Sequence, residues 1–403
     1  MSGIAILKNK IQEYAWGSKT FIPELIGEPS PAERPCAEMW MGSHPKASSI
    51  ALYNDRSISL DKLIAGDPLG SLGSSVAERF SNNLPFLFKI LAAEKPLSIQ
   101  AHPNKEQAET GFVRENREKI GLNAAHRNYR DDNHKPELIC ALEPLWALKG
   151  FREIKDIIEL GERIGVPPER LGTDILKNRP DKEGLKEFFI NLMKMEDSKK
   201  RCLIEEVIEN IKEIKCHDPV FEWIDRLNRG HPGDIGSLSP LFLNVVRLQP
   251  MEAMHIPSGE LHAYLGGAGL ELMANSDNVL RGALTVKHVD LMELLNILDF
   301  LPHVPEILKP VEGDEALELI YPVTAEEFML SVLSINGEDS IYNSHWKRSA
   351  EIIICIKGEA TIKDRDGGDV LEIKKGVSLF IPASVKQYLI RGKAIIYKAS
   401  VPL

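Results

Sequence analysis

The chain has 403 residues, 43% of them hydrophobic and 27% charged, with a formal net charge of -10 at pH 7. At about 150 residues per domain, this length predicts two or three globular domains with ample core. The acidic balance, without any Lys/Arg run interleaved with aromatics, argues against nucleic-acid binding, and no apolar run approaches the roughly 18 residues of a membrane span.

Five cysteines (Cys36, Cys140, Cys202, Cys216 and Cys355) are widely spaced and form no C-x-x-C pair. This argues against a disulfide framework and against a cysteine zinc site. The opening MSGIAILKNK has too few apolar residues before its lysine for a signal-peptide core. A cytoplasmic address is therefore expected.

Up to about residue 150, short apolar runs alternate with Pro/Gly/Asn turns. LPFLFKIL (84–91), PLSIQAH (96–102) and PELICAL (136–142) are predicted strands, and EQAETGFVRENREKIG is a predicted helix. From about 151 to 232 the period becomes helical, in FREIKDIIEL, LKEFFINLM, RCLIEEVIENIKEIK and PVFEWIDRL. In the third of these, Leu203, Ile204, Val207, Ile208, Ile211 and Ile214 form an i, i+3, i+4, i+7 stripe. After the turn HPGDIGSLSP (231–240), strands return in LFLNVVRLQP, AMHIPSGELHAY and GLELMA. Beyond about 310 they recur as EIIICI, KGEATIK, DVLEIKKG, VSLFIPAS, KQYLIRG and KAIIYK, a spacing expected of a sandwich or barrel.

Within PLSIQAH, Ser98, Gln100 and His102 share one strand face, because side chains alternate with a period of two. An imidazole and an amide there can reach one ion, or simply hydrogen-bond a neighbouring loop. Glu137 begins the apolar run PELICAL, where a carboxylate needs a cation or donors. In IPSGELHAY (256–264), a Pro-x-Gly turn feeds a strand that opens with His262; this resembles the second metal-binding motif of cupin jelly rolls. Gln100, His102, Glu137 and His262 form a set of two nitrogens and two oxygens that suits Zn²⁺, Fe²⁺, Mn²⁺ or Co²⁺. With a neutral amide as fourth ligand, few positions stay open for O₂, which favours zinc and non-redox chemistry.

Lys89 inside FLFKIL and Glu271 inside GLELMA place charges in apolar strands. Lys135 adjoins Glu137, and His134 beside it is a pocket candidate. Arg281 lies in the polar stretch NSDNVLRGALT, with Asp277 as its structural alternative partner. His44, His126, His217, His231, His288, His303 and His345 lack ligand-like spacing and read as surface or structural.

The blocks QEYAWGS, AEMWMGSHP, LPFLFKILAAEKPLSIQAHPNKEQA, DDNHKPELICAL, GDIGSLSPLFLNVVRLQP and GELHAYLGGAGLELMANSDNVLRGALTVKHVD resemble, in order, type I phosphomannose isomerases over about residues 11 to 290. The resemblance implies one zinc per chain held by Gln100, His102, Glu137 and His262. It implies that Arg281 is essential, and that Trp16, Lys89, Lys135, Tyr264, Glu271, Asp277 and Lys287 line the pocket. It also implies a mainly β fold with a helical insertion: two cupin-like jelly-roll domains plus an all-α domain. The expected division is a catalytic β domain (1–150 with 233–310), a helical insertion (151–232) and a metal-free C-terminal cupin-like domain (311–403).

The expected reaction interconverts D-mannose 6-phosphate and D-fructose 6-phosphate through a cis-enediolate. Glu271 is the expected base, with a zinc-bound water or His134 as alternatives, and Arg281 the partner of the enediolate. Lys89, Lys135 and Ser98 are candidates for phosphate or hydroxyl contacts. A monomer acting on a small sugar phosphate, without membrane or nucleic-acid partners, is expected. An iron-dependent cupin oxygenase and a non-catalytic sugar-phosphate binder are the alternatives.

Overall fold

The structure, a computed structural model, describes residues 3–53, 56–214, 217–368 and 370–403. Among these the cysteines Cys36, Cys140, Cys202 and Cys355 are free, while Cys216 and the last residue of the predicted helical stretch, Lys215, lie outside them.

Among the described residues, two 10-stranded sheets and a helical block make up the fold. The first sheet carries Phe86–Ala93, Ile99–Ala101, Glu137–Ala141 and the long strand His262–Ala274. Strand alternation explains how these layers stack. Phe86, Phe88, Ile90 and Ala92 join Leu138 and Cys140 in an apolar layer shared with Leu330, Val332, Ile352 and Ile354 of the second sheet. The intervening Leu91, Ala93, Ile139 and Ala141 turn the other way, into the first barrel beside Tyr264. Such a strand is buried on both faces, so it reads as a continuous apolar run rather than an alternating one.

The helical block covers the opposite side of the first barrel. Its longer helices are Ile154–Ile164, Lys182–Lys194, Asp197–Glu213 and Pro219–Gly230. Asp181 and Asp218 cap two of them, accepting from the backbone of Gly184 and Val220 at 2.9 Å. The predicted stripe of the third helix buries Leu203, Ile204, Val207 and Ile211, with Ile208 and Ile214 partly buried. These side chains share a core with Ile99, Ala101, Leu261, Ala263 and Leu265. The helices therefore anchor the backs of the strands that carry Gln100 and His262 on their inner faces.

Two features differ from the sequence reading. The strand Ala5–Lys8 pairs with Ser378–Ile381, and Ile50–Tyr53 and Arg56–Ser59 continue outward from it. These N-terminal residues thus belong to the C-terminal sheet, and the first β domain begins beyond them in space. In addition, segments read as separate strands are single bent ones. KQYLIRG and KAIIYK form one strand, Tyr388–Ser400, with Gly392 at φ +140° where it bends. AMHIPSGELHAY and GLELMA meet in His262–Ala274, whose register shifts between Tyr264 and Gly266.

The long strand can cross from one half of the barrel to the other because Gly267 adopts φ +105°, a conformation few other residues tolerate. A Cβ there would stand 2.3 Å from the Pro144 carbonyl. Gly267→Ala is expected to destabilise the fold by more than about 1 kcal/mol. A lowered urea midpoint checks this; an unchanged midpoint would show that the bend does not depend on the glycine.

Candidate metal centre

Pro103 ends the strand Ile99–Ala101 directly after His102, and Asn104 starts a helix, Lys105–Arg117, with a capping box. Asn104 Oδ1 accepts from Gln107 N, and Gln107 Oε1 from Asn104 N, both at 2.9 Å. The second histidine is delivered by the Pro-Ser-Gly turn. Gly259 sits at φ +79°, and its N–H donates to the His102 carbonyl at 2.8 Å. One hydrogen bond thus ties the two histidine segments together.

His102, Glu137 and His262 converge inside the first barrel, each completely buried, with one ligand atom apiece lying within 4.8 Å of the others. His102 Nε2 stands 3.2 Å from Glu137 Oε1, and His262 Nε2 stands 3.5 Å from Glu137 Oε2. Each Nδ1 is occupied: His102 Nδ1 donates to the Asn278 carbonyl at 2.7 Å, His262 Nδ1 to the Glu260 carbonyl at 3.0 Å. That fixes the tautomer and leaves each Nε2 lone pair facing Glu137. Neither Nε2 has a hydrogen-bond partner among the described residues. A buried polar atom left this way is expensive unless something binds it.

Burial, with Lys135 next, pushes the His102 imidazole down to about 4, so it stays neutral. Burial by itself would raise the Glu137 carboxyl, but Lys135 holds it well below its ordinary range. The neutral imidazole of His102, the unpartnered Nε2 of His262 and an ionised carboxylate are donors that suit a divalent zinc. By register Gln100 lies opposite His262 on one side and Arg281 on the other.

The models for the catalytic domain and helical insertion domain of phosphomannose isomerase type I match residues 4–154 and 168–243, and that of the mannose-6-phosphate isomerase cupin domain matches 318–400. Mannose-6-phosphate isomerase of Escherichia coli (strain K12) is 40% identical over 390 residues, 96% of each chain. That of Homo sapiens is 32% identical over 402 residues, 93% of this chain and 92% of the other. The chain belongs to the type I phosphomannose isomerase family. A crystal structure of a zinc-bound mannose 6-phosphate isomerase superposes with a TM-score of 0.90 at 37% identity, covering 100% of both chains. A variant of the Salmonella typhimurium phosphomannose isomerase superposes at 0.91 and 37% with the same coverage.

Around the centre of this phosphomannose isomerase family member stand charged pairs. Lys89 Nζ lies 3.0 Å from Glu271 Oε2 and 3.7 Å from Glu38 Oε2, over the Trp40 ring. Burial pushes the Glu271 carboxyl up, against the pull of Lys89. Lys135 Nζ lies 2.8 Å from Glu137 Oε1, and the Tyr264 hydroxyl donates to Glu137 Oε2 at 3.4 Å. Trp16 is partly buried at the edge of the barrel core, and half-buried Ser98 immediately precedes the Gln100 strand.

Other predicted residues find different company. His134 turns away: its Nε2 lies 2.6 Å from Glu327 Oε1, an acid from the C-terminal part of the chain. Asp277 pairs with Lys46 at 2.7 Å and approaches His44 at 3.7 Å, so the alternative Arg281–Asp277 bridge is absent among the described residues. His44, expected to be surface or structural, is buried beside the site.

Arg281 instead feels burial and Arg130, which both push its guanidinium down, and Lys287 is lowered by burial, Arg281 and Arg130. Arg130, Arg281 and Lys287 are thus cationic neighbours, and among the described residues no carboxylate offsets the effect on Arg281 or Lys287. Buried Asn278 links this group to the metal ligands. Its Oδ1 accepts from Arg130 N at 2.7 Å, and its carbonyl holds His102. Sequence reasoning passed over Glu38, His44, Arg130 and Tyr14, whose ring lies 5.8 Å from that of Trp16. Tyr14, Glu38 and His44 lie inside the blocks QEYAWGS and AEMWMGSHP, and Arg130 immediately precedes DDNHKPELICAL.

Proposed function

We propose that this chain is a zinc-dependent aldose–ketose isomerase that interconverts D-mannose 6-phosphate and D-fructose 6-phosphate through a cis-enediolate. The observation that carries this reading is the pair of buried histidines whose Nε2 atoms meet one carboxylate while both Nδ1 atoms are held by carbonyls. Gln100, His102, Glu137 and His262 hold the zinc. Bound there, zinc supplies a Lewis acid that polarises a sugar oxygen.

Glu271 moves the proton. As carboxylate it takes the proton from C2 of the open-chain aldose, and the electron pair forms the C1–C2 double bond of the enediolate. The C1 carbonyl pair moves onto O1, a proton passes from the O2 hydroxyl to O1, and the same carboxyl returns a proton to C1, giving the ketose with its carbonyl at C2. Its raised pKa suits a group that must both accept and release a proton. Lys89, 3.0 Å away, holds the carboxylate in place. Glu271→Gln is expected to lower kcat by about 10²–10⁴ with zinc content intact. Near-normal kcat would assign the base elsewhere.

The phosphate is assigned to Arg130, Arg281 and Lys287. Lys89 and Lys135 are already neutralised by buried carboxylates. Arg281 lies two strands from His262, with Gln100 between them, a separation of roughly 10 Å at ordinary strand spacing. This places a dianion at the far end of the sugar from the zinc. It replaces the expected enediolate role of Arg281.

The chain divides into a catalytic barrel, a helical block at 151–232 and a metal-free barrel of residues 311–403 joined by the strands Ala5–Lys8, Ile50–Tyr53 and Arg56–Ser59, and it acts as a cytoplasmic monomer; sedimentation giving a dimer mass would overturn the last. The reaction itself is tested by running it in D₂O and following fructose 6-phosphate by NMR. Proton transfer through Glu271 incorporates solvent deuterium at C1. Product free of deuterium even after prolonged equilibration in D₂O would favour hydride transfer over the enediolate, and absence of product would remove the isomerase.

A further inference from the structure

The C-terminal jelly roll has a polar interior of its own. Its strands Glu318–Ile320, Met329–Asn343, Glu351–Asp364 and Tyr388–Ser400 pair side by side. On the face turned away from the first barrel, their deeper positions are apolar: Leu333, Ile335, Ile353 and Ile396 pack in one core. Two or four residues along the same faces, Ser331, Glu351, Lys398 and Ser400 are buried and polar.

Lys398 Nζ lies 2.7 Å from Glu318 Oε1, 3.8 Å from Glu351 Oε1 and 3.1 Å from the Tyr342 hydroxyl. The Arg348 side chain, 3% exposed, donates from Nη1 to the Ser349 carbonyl at 2.9 Å and from Nη2 to the Pro382 carbonyl at 2.6 Å, and approaches Glu351 Oε2 to 3.7 Å. Arg348 Nε and Ser400 Oγ are buried without a hydrogen-bond partner among the described residues. These groups line a cavity of about 340 Å³, a size that falls among small-molecule pockets. His345 and Lys347 line it, and Trp346 between them in sequence, 72% exposed and stacked on the His345 ring, lies outside the lining itself.

A purely structural role accounts poorly for this arrangement. Buried ion pairs are often no better than apolar packing of the same volume, and orphaned donors weaken a fold further. The cluster also sits over a cavity rather than inside packed atoms. Its charge identifies the ligand. Lys347, Arg348 and Lys398 face Asp314, Glu315, Glu318 and Glu351, three bases against four acids, which disfavours a phosphate dianion. Donors and acceptors set side by side suit hydroxyl groups, which act as both. An exposed indole offers the apolar face of a sugar ring a surface to cover.

We propose that the C-terminal jelly roll carries a second site, for a neutral hexose-sized sugar, in which Arg348, Glu351, Lys398 and Ser400 bind hydroxyls and Trp346 covers the ring. The site is separate from the zinc centre, and its occupancy is independent of catalysis there. Saturation-transfer NMR with D-mannose, D-glucose and D-galactose tests it, recorded with an equilibrium mixture of mannose 6-phosphate and fructose 6-phosphate filling the first barrel. At least one neutral sugar is expected to keep its signal. Trp346→Ala, an exposed change, should weaken that binding about tenfold while leaving kcat at the zinc centre unchanged. Three silent sugars, a signal displaced by the sugar phosphates, or binding indifferent to Trp346→Ala would each overturn the proposal. So would inorganic phosphate displacing the sugar in a manner sensitive to Trp346→Ala.

Discussion

Replacing His262 with alanine is expected to strip the chain of its zinc and to lower kcat by about 10³-fold or more. The wild-type protein should carry about one zinc per chain, and chelation followed by dialysis should reproduce the loss, reversed by added zinc. The physical basis is the geometry around Glu137. His262 is fully buried, its Nδ1 is committed to the Glu260 carbonyl, and its Nε2 faces the Glu137 carboxylate at 3.5 Å. Alanine leaves His102 and Glu137 to hold the ion with Gln100, one strong donor fewer. Losing several kcal/mol of charge stabilisation in the transition state corresponds to that fall in rate. Elemental analysis and a melting curve read metal loss independently of activity. Full activity in zinc-free wild type would sink the assignment. Activity that vanished under strict anaerobiosis would instead favour the oxygenase alternative.

The second large effect belongs to Arg281. Arg281→Met is expected to raise KM for mannose 6-phosphate by roughly 10²-fold, about 2.7 kcal/mol, with kcat within a few-fold of wild type. Arg281→Lys should give a smaller rise, about tenfold, because the charge remains while the planar fork of donors is lost. The pattern follows from position. Arg281 stands with Arg130 and Lys287 and is two strands removed from His262, so it meets a group that stays dianionic throughout the reaction. Binding that is equal in ground and transition states appears in KM. If kcat falls instead and KM holds, the arginine serves the enediolate, as the sequence alone had implied. A change of less than threefold in both constants would remove it from the site. Zinc content measured on the same preparations separates either result from collapse of the centre.

How far the sequence reaches depends on whether the governing physics is local. The helical stripe Leu203 to Ile214 is legible because a helix returns to the same face every three or four residues, and the structure buries it. The inward direction of Gln100 and His262 is legible in the same way: in a strand their neighbours Ile99, Ala101, Leu261 and Ala263 must face the other side, and here they meet the helical block. The Pro-Ser-Gly turn is legible because Gly259 needs a positive φ.

Other features required the folded chain. Glycines within the apolar runs read as turns between strands, whereas Gly267 and Gly392 are bends inside single long strands; local chemistry permits both, and only pairing with neighbours selects one. The strand Ala5–Lys8 finds its partner at Ser378–Ile381, a choice that register and packing make without a local signature. Charges behave likewise. Asp277 lies four residues before Arg281 yet pairs with Lys46, and His134 beside Lys135 pairs with Glu327. Arg130 joins Arg281 only because Asn278 draws their two segments together. By itself the sequence determined which side chains share a face and which residue types gather near them, since those follow from backbone period. Only the tertiary structure decided which charge meets which, because Coulomb energy and burial depend on distance in space and not along the chain.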